Sequence, residues 1–275
     1  MQIKNLAIGD GFVYLMEGST KVKFYALSHN YESRLNGKGR TLFCRESPAG
    51  SGTHTTSAKE DYRVDSNNED AWYKNTYVNK FSGEVRKLIG MTKYIGQYVY
   101  MTYTQSGDPT GNAKINSKTY ESSFFPLSTA EVALRAFADG SALSSAAISR
   151  IASIQTRYGS GIWTRSPSRV LTGTNSTGFL KHYYANSQYI SGASGSSLST
   201  AEGTPGSSYG YLPCFTLPET LYIDKDGFAT ENQPPEVTSD AGESGAALGE
   251  KNEPFALAYT VTDGDGDPMT ITEKV

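Results

Sequence analysis

Two Ser-x-x-Glu boxes, Ser66–Glu69 and Ser128–Glu131, constrain this chain more than any other local feature. In each, the serine hydroxyl and the glutamate carboxylate are spaced to bond one another's backbone amides, which starts a helix at a defined residue. After the first box, Trp72, Tyr73, Thr76 and Tyr77 fall on one helical face, so Trp72 is expected to anchor a core. Ser82 can cap a second short helix whose Val85, Leu88 and Ile89 are spaced to face a core. The second box opens a helix expected to stop at Gly140, and SSAAISRIASI reads as another through Ile148, Ile151 and Ile154.

The remaining patterned segments read as strands. GFVYLMEG and KVKFYALSHN flank a turn at Glu17–Thr20, LNGKGR carries the Asn36–Gly37 turn signal, and TLFCRE and YIGQYVYMTYT are further strands. Residues Ser47–Asp65 are polar and read as a surface loop. From Leu171 to Tyr211 glycine, serine, threonine, asparagine and tyrosine dominate, which predicts long loops with GFLKHYYANSQYIS as the one clear strand pair. YLPCFTLPETLYIDKDG closes the region with a strand and a turn at Lys225–Gly227. Two to four helices among many short strands place the chain in the α+β class.

The consecutive prolines of ENQPPEV mark residues 231–236 as an extended linker between a domain at 1–230 and a β module at 237–275. FALAYTVTDGDGDPMTITEKV alternates like a hairpin around an acidic turn. The module is shorter than the roughly 100 residues of an immunoglobulin-type sandwich, so it is expected to be partial or completed by a partner. Asp263, Asp265 and Asp267 have the alternate carboxylate spacing that suits calcium, against an ordinary Asp/Gly turn. No other cofactor is indicated.

Composition narrows the function. A net charge of −3 without a basic run speaks against nucleic acid and anionic membranes as partners. No leader peptide and no bilayer-spanning run is recognised, so a soluble protein is expected, which, if it acts outside a cell, leaves by lysis or within an assembly. Cys44 and Cys214 sit in apolar flanks and are expected as buried thiols, with pairing as the alternative. The histidines lie apart from one another and from the cysteines, which gives zinc no ligand set. Nineteen tyrosines beside 28 glycines form the palette of adaptable binding surfaces, or equally of a β-rich protein with polar turns.

Catalysis has little material between Asp139 and Asp224, where Glu202 and Glu219 are the only acids. A glycosidase needs two carboxylates flanking its bond, although Glu69 and Asp70 could approach in space. G-x-S-x-G and H-E-x-x-H are absent. The chain is therefore expected not to be an enzyme.

Five blocks in order, IKNLAIGDGF, WYKNTYVNKFSGEVRKLI, FFPLSTAEV, IWTRSP and GYLPCFTLPETLYIDKDGF, resemble a domain family of phage and prophage tail proteins from Gram-positive gut bacteria. That family is similar to the C-type-lectin-like fold, in the branch shared with formylglycine-generating enzymes and retroelement-diversified receptor-binding proteins. The resemblance covers residues 1 to about 230 and implies a lectin-like domain with small antiparallel sheets. The C-terminal segment resembles immunoglobulin- or cadherin-like modules. Tyr211-Leu212 depart from the family, which prefers an aliphatic residue and an arginine there, so contacts of that arginine do not transfer. Neither the calcium-lectin E-P-N, Q-P-D or W-N-D signatures nor the paired cysteines of the enzymes are present.

On that fold, Trp163 and Arg165 share one side of a strand, the indole in the core and the guanidinium on backbone carbonyls of the long loops, and Pro167 ends the strand. The three are expected to be structural, like Trp72. The resemblance places a variable face just before the closing strand. Asn175, His182, Tyr183, Tyr184, Asn186, Tyr189 and Tyr209 are the candidate ligand-binding residues there. The implied function is a virion adhesin that binds a bacterial surface protein or cell-wall glycan, alongside other tail proteins. A structural tail-fibre or baseplate subunit, oligomeric through those tyrosines, and a cell-wall-degrading enzyme are the alternatives.

Overall fold

The structure is a computed structural model and describes residues 1–53, 68–100, 114–132, 140–167, 171–174, 180–183, 187–194, 197–203, 207–231, 236–239 and 259–262. It is mixed α+β, with mostly antiparallel sheets and four α-helices among the described residues.

The first sheet has the order β1 (Phe12–Glu17), β2 (Thr20–Ser28), β3 (Arg40–Arg45) and β13 (Cys214–Pro218). The β1–β2 hairpin closes at Glu17↔Thr20, where Gly18 takes a φ of 61° that a side chain would strain. Alternation then splits the sheet into two faces. Phe24, Phe43 and Phe215 pack together on one side. Tyr25, Cys44 and Cys214 belong to the core on the other.

The second sheet runs β11 (Ser197–Gly203), β10 (Ser187–Ser194), β7 (Ile162–Pro167), β12 (Ser208–Tyr211) and β4 (Gly50–Thr53). Two expectations are corrected here. The Leu171–Tyr211 stretch is strand-rich, because β8 (Leu171–Thr174), β9 (Leu180–Tyr183), β10, β11 and β12 all fall within it. Part of the Ser47–Asp65 loop is the edge strand β4, paired with β12. Turn-forming residues lower strand propensity, but propensity yields to a neighbour that offers a ladder, and the buried central strand β7 is that neighbour for β10 and β12.

Helix α4 (Ser145–Tyr158) packs on β10, β11 and β2. Its N-cap is Ser144, whose hydroxyl accepts from the Ala147 amide (3.3 Å), and Gly159 ends it in the left-handed region. Ile151 and Ile154 are buried with Ile162, Ile190 and Leu198, each burial stabilising by about 1.5–3 kcal/mol. Helix α1 (Ser33–Asn36) occupies the Asn36–Gly37 turn region, and Ser82 caps α3 (Gly83–Ile89) through the Val85 amide. Helix α2 (Asn68–Trp72) runs into a wider π turn at Tyr73–Tyr77, which rotates the expected face. Tyr73 and Tyr77 are buried while Thr76 faces solvent, so Thr76 is not part of that face.

Three smaller antiparallel pairs stand beside these sheets among the described residues up to Glu231: β5 (Thr92–Tyr100) with β6 (Lys114–Ser122), β8 with β9, and β14 (Tyr222–Ile223) with β15 (Ala229–Thr230). In the last, Oδ1 of Asp224 accepts from the amides of Asp226 and Phe228, which fixes the predicted turn. Beyond the Pro-containing segment, β16 (Glu236–Ser239) pairs with β17 (Tyr259–Thr262). The described partner of β17 is thus β16, and the acidic turn with Asp263, Asp265 and Asp267 lies outside the described residues. No described helix is long and apolar enough to cross a membrane.

Candidate functional site

The site is organised by β7. Its central position in the sheet buries Ile162 through Ser166, so every side chain there must meet protein rather than water. Trp163 is 2% exposed, and its Nε1 donates to the Gly52 carbonyl (2.8 Å), tying the centre of the sheet to the β4 edge.

Arg165 is fully buried. Its Nε donates to the Ile95 carbonyl (2.9 Å) and Nη1 to that of Pro126 (2.6 Å). Nη1 and Nη2 also fork onto Glu131 at 2.8 and 2.7 Å. Backbone carbonyls alone were the expected acceptors, so the buried carboxylate is a correction. Glu131 belongs to the second capping box, whose reciprocal bonds both form: the Ser128 amide donates to Oε2 (2.7 Å) and the Glu131 amide to Ser128 Oγ (3.1 Å). Residues 129–132 make a turn, and 133–139 lie outside the described residues. The Tyr31 hydroxyl donates to Oε1 of Glu131 (2.6 Å), and burial with the Glu131 charge pushes this phenol well above its ordinary pKa. Tyr31, Phe125 and Tyr94 stack beside the ion pair, with the Arg165 guanidinium 5.2 Å from the Tyr94 ring. An ion pair in so dry a place survives desolvation only because its oxygens and N–H groups are bonded.

The other end of β7 carries aromatic rings at the surface. Tyr189 of β10 is the register partner of Trp163, so their side chains share a face. Tyr209 of β12 arrives from the opposite neighbour. The two tyrosine rings stack at 3.9 Å and 21°, and Trp163 meets their edges at 5.8 and 4.8 Å. Both are half-buried. A Cβ on Gly161 would lie 2.5 Å from Tyr189 and 2.6 Å from Tyr209, so only glycine admits the pair. A hydrogen bond with Tyr209, then burial, raises the Tyr189 phenol to about 12. Beside this pair, Ser191 and Ser199 place their hydroxyls 3.2 Å apart on the exposed sheet surface.

Beneath the β4 edge lies a second aromatic layer. Trp72 is half-buried and stacks on Tyr77 at 5.0 Å, with Tyr73 and Tyr211 also in contact. Gly50 and Gly52 admit Trp72 and Tyr211, whose nearest atoms would stand 2.9 and 2.5 Å from an added Cβ. The Tyr211 hydroxyl donates to the Thr53 carbonyl (2.8 Å), and Leu212 is buried. Glu69 is fully buried, accepts from the Tyr73 hydroxyl (3.0 Å), and is raised by burial to about 8. Asp70 pairs with Lys74 at 2.7 Å.

Of the seven candidate binding residues, the structure brings together Tyr189 and Tyr209. His182 and Tyr183 stand on β9, opposite Thr172 and Leu171. Asn175, Tyr184 and Asn186 lie outside the described residues. Trp72, Trp163 and Arg165 are packed in the body of the protein, and Pro167 is the last residue of β7. Among the described residues no three His, Cys, Asp or Glu side chains are grouped to hold a metal. Sequence reasoning missed Glu131 as the partner of Arg165 and Gly161 as the seat of the tyrosines. The first was visible as a capping residue, while its charge pairing spans 34 positions and has no local signal. Compared with family models, curated proteins and solved structures, the chain matches none.

Proposed function

We propose that this chain is a non-catalytic binding protein, a phage or prophage tail adhesin with a C-type-lectin-like domain, which presents Tyr189 and Tyr209 to a protein or glycan of a bacterial surface. The stacked tyrosine pair is the observation that carries the reading. Its rings are half-buried, fixed against Trp163 and seated on Gly161. Ring torsions already frozen in the free protein are not lost again on binding, and large aromatic faces give much contact per ordered torsion. The adjacent Ser191 and Ser199 hydroxyls supply hydrogen-bonding capacity.

The state of the buried acids supports a role without chemistry. The Glu131 oxygens accept from Arg165, Tyr31 and Ser128, and Glu69 and Asp70 are bonded to Tyr73 and Lys74 of their own helical segment. A general acid or base must instead reach a substrate proton.

The test is retention of the full chain on cell walls and surface extracts of Gram-positive gut bacteria, beside a Tyr189→Ala/Tyr209→Ala variant. Wild-type retention, weakened at least about tenfold in a variant with native-like circular dichroism, is expected for a central aromatic contact. Failure to bind any such surface defeats the reading. Release of soluble wall fragments would replace it with a degradative enzyme. A stable oligomer that shields both tyrosines would replace it with a structural tail subunit.

A further inference from the structure

The register of the first sheet sets the two cysteines directly opposite one another: Cys214 of β13 pairs with Cys44 of β3. Two observations identify this as a non-hydrogen-bonded antiparallel pair. The Arg45 amide donates to the Pro213 carbonyl (3.1 Å), so the neighbouring pair carries the ladder bond. Cys214 turns its own amide and carbonyl the other way, exchanging both bonds with Phe125 at 2.9 and 3.0 Å. At such a site the α-carbons stand about 4.5 Å apart and the side chains approach most closely. That separation lies within the roughly 4.4–6.8 Å of protein disulfides. Both thiols belong to the same apolar cluster, with Tyr25, Leu42, Phe125 and Leu212 around them, and neither is exposed.

We propose that Cys44 and Cys214 are a disulfide site that is set at folding: a chain folding in the presence of a small-molecule disulfide closes a β3–β13 bridge, and the folded protein keeps the redox state in which it folded. The chemistry is two exchanges. One protein thiolate attacks glutathione disulfide, forming a mixed disulfide and releasing one glutathione thiolate. The second cysteine loses its proton and displaces the remaining glutathione from the first sulfur. Two protein thiols are oxidised and one glutathione disulfide is reduced to two thiols. The folded state resists this in both directions. Burial removes the sulfurs from attack and pushes the Cys44 thiol up to about 12 and that of Cys214 well above its usual range, so little thiolate exists at neutral pH. The bridge would span the chain from β3 to β13, with α2, α3 and α4 between them, a long loop of the kind that most constrains an unfolded chain.

The experiment compares the full chain synthesised in cell-free reactions poised with oxidised glutathione or with dithiothreitol. Unreduced digestion and mass spectrometry should find a Cys44–Cys214 peptide in the first product and free thiols in the second. The bridged form should shift the unfolding equilibrium toward the native state, on the order of a thousandfold, without change in native circular dichroism. Reduced protein folded beforehand should keep both thiols unreactive toward glutathione disulfide until denaturant is added. Free or singly glutathionylated cysteines in the oxidised product, a bridged form less stable than the reduced one, or rapid oxidation of the native protein would each overturn the proposal.

Discussion

The two ends of β7 are built on opposite principles. At Arg165 the strand is locked by a fully buried charge pair whose partners come from Tyr31, Ile95, Pro126 and Glu131, far apart in the chain. At Gly161 and Trp163 it offers a half-buried surface of stacked rings held by van der Waals contact. Directional bonds in a dry place tolerate no substitution of either partner. A stack beside solvent can be altered with the fold intact, which is what a binding surface requires.

The largest effect is expected where the charge pair is broken. Glu131→Ala leaves the Arg165 guanidinium buried and uncompensated, and should destabilise by about 3–5 kcal/mol in denaturant unfolding. Replacing both Arg165 and Glu131 with apolar residues of similar volume should recover a substantial part of that loss. If Glu131→Ala loses under about 1 kcal/mol, the two ends do not differ as described.

Next is the pH dependence beneath the β4 edge. Burial holds the folded-state pKa of Glu69 near 8, above the ordinary carboxylate range, so the native state binds a proton the unfolded state has released. This contribution is fully present below the unfolded pKa and is lost as pH rises toward about 8. Stability should fall across that window by about 5 kcal/mol, and Glu69→Gln should flatten the curve. A slope unchanged in the variant would show that Glu69 does not titrate as its surroundings dictate.

Gly161→Ala comes third. The added methyl must push aside Tyr189 and Tyr209, at a cost of about 1–3 kcal/mol typical of overpacking. Retention on the bacterial surface should drop while the fold survives, and equal retention would separate binding from the stack. The smallest effect is spectroscopic. The hydrogen bond with Tyr209 favours the neutral Tyr189 phenol, so its contribution is complete below the ordinary phenol range and is lost as pH rises through about 12. Ultraviolet titration should find one tyrosine displaced upward, returning toward the ordinary range in Tyr209→Phe.

Much of the framework was legible. Ser82 caps the helix that its spacing announced, because a cap is a contact within one turn, and the helix read through Ile151 and Ile154 forms with a cap at Ser144. The β1–β2 turn and the Asp224 turn were readable for the same reason. The second box was half legible: its reciprocal bonds form, yet its glutamate also neutralises an arginine on strand β7. The Leu171–Tyr211 region was misread as loops, since its Ser, Thr and Gly content reports local preference and is silent about a waiting neighbour.

The sequence by itself determined the α+β class, the Ser82 cap and the turns at Glu17–Thr20 and Lys225–Gly227, all set by interactions a few residues long. Tertiary structure alone decided that Arg165 meets Glu131, that Tyr189 stacks on Tyr209, and that Cys44 faces Cys214. Those pairings depend on strand order and register, which arise when distant segments compete for the same buried face, and no short window of sequence records the outcome of that competition.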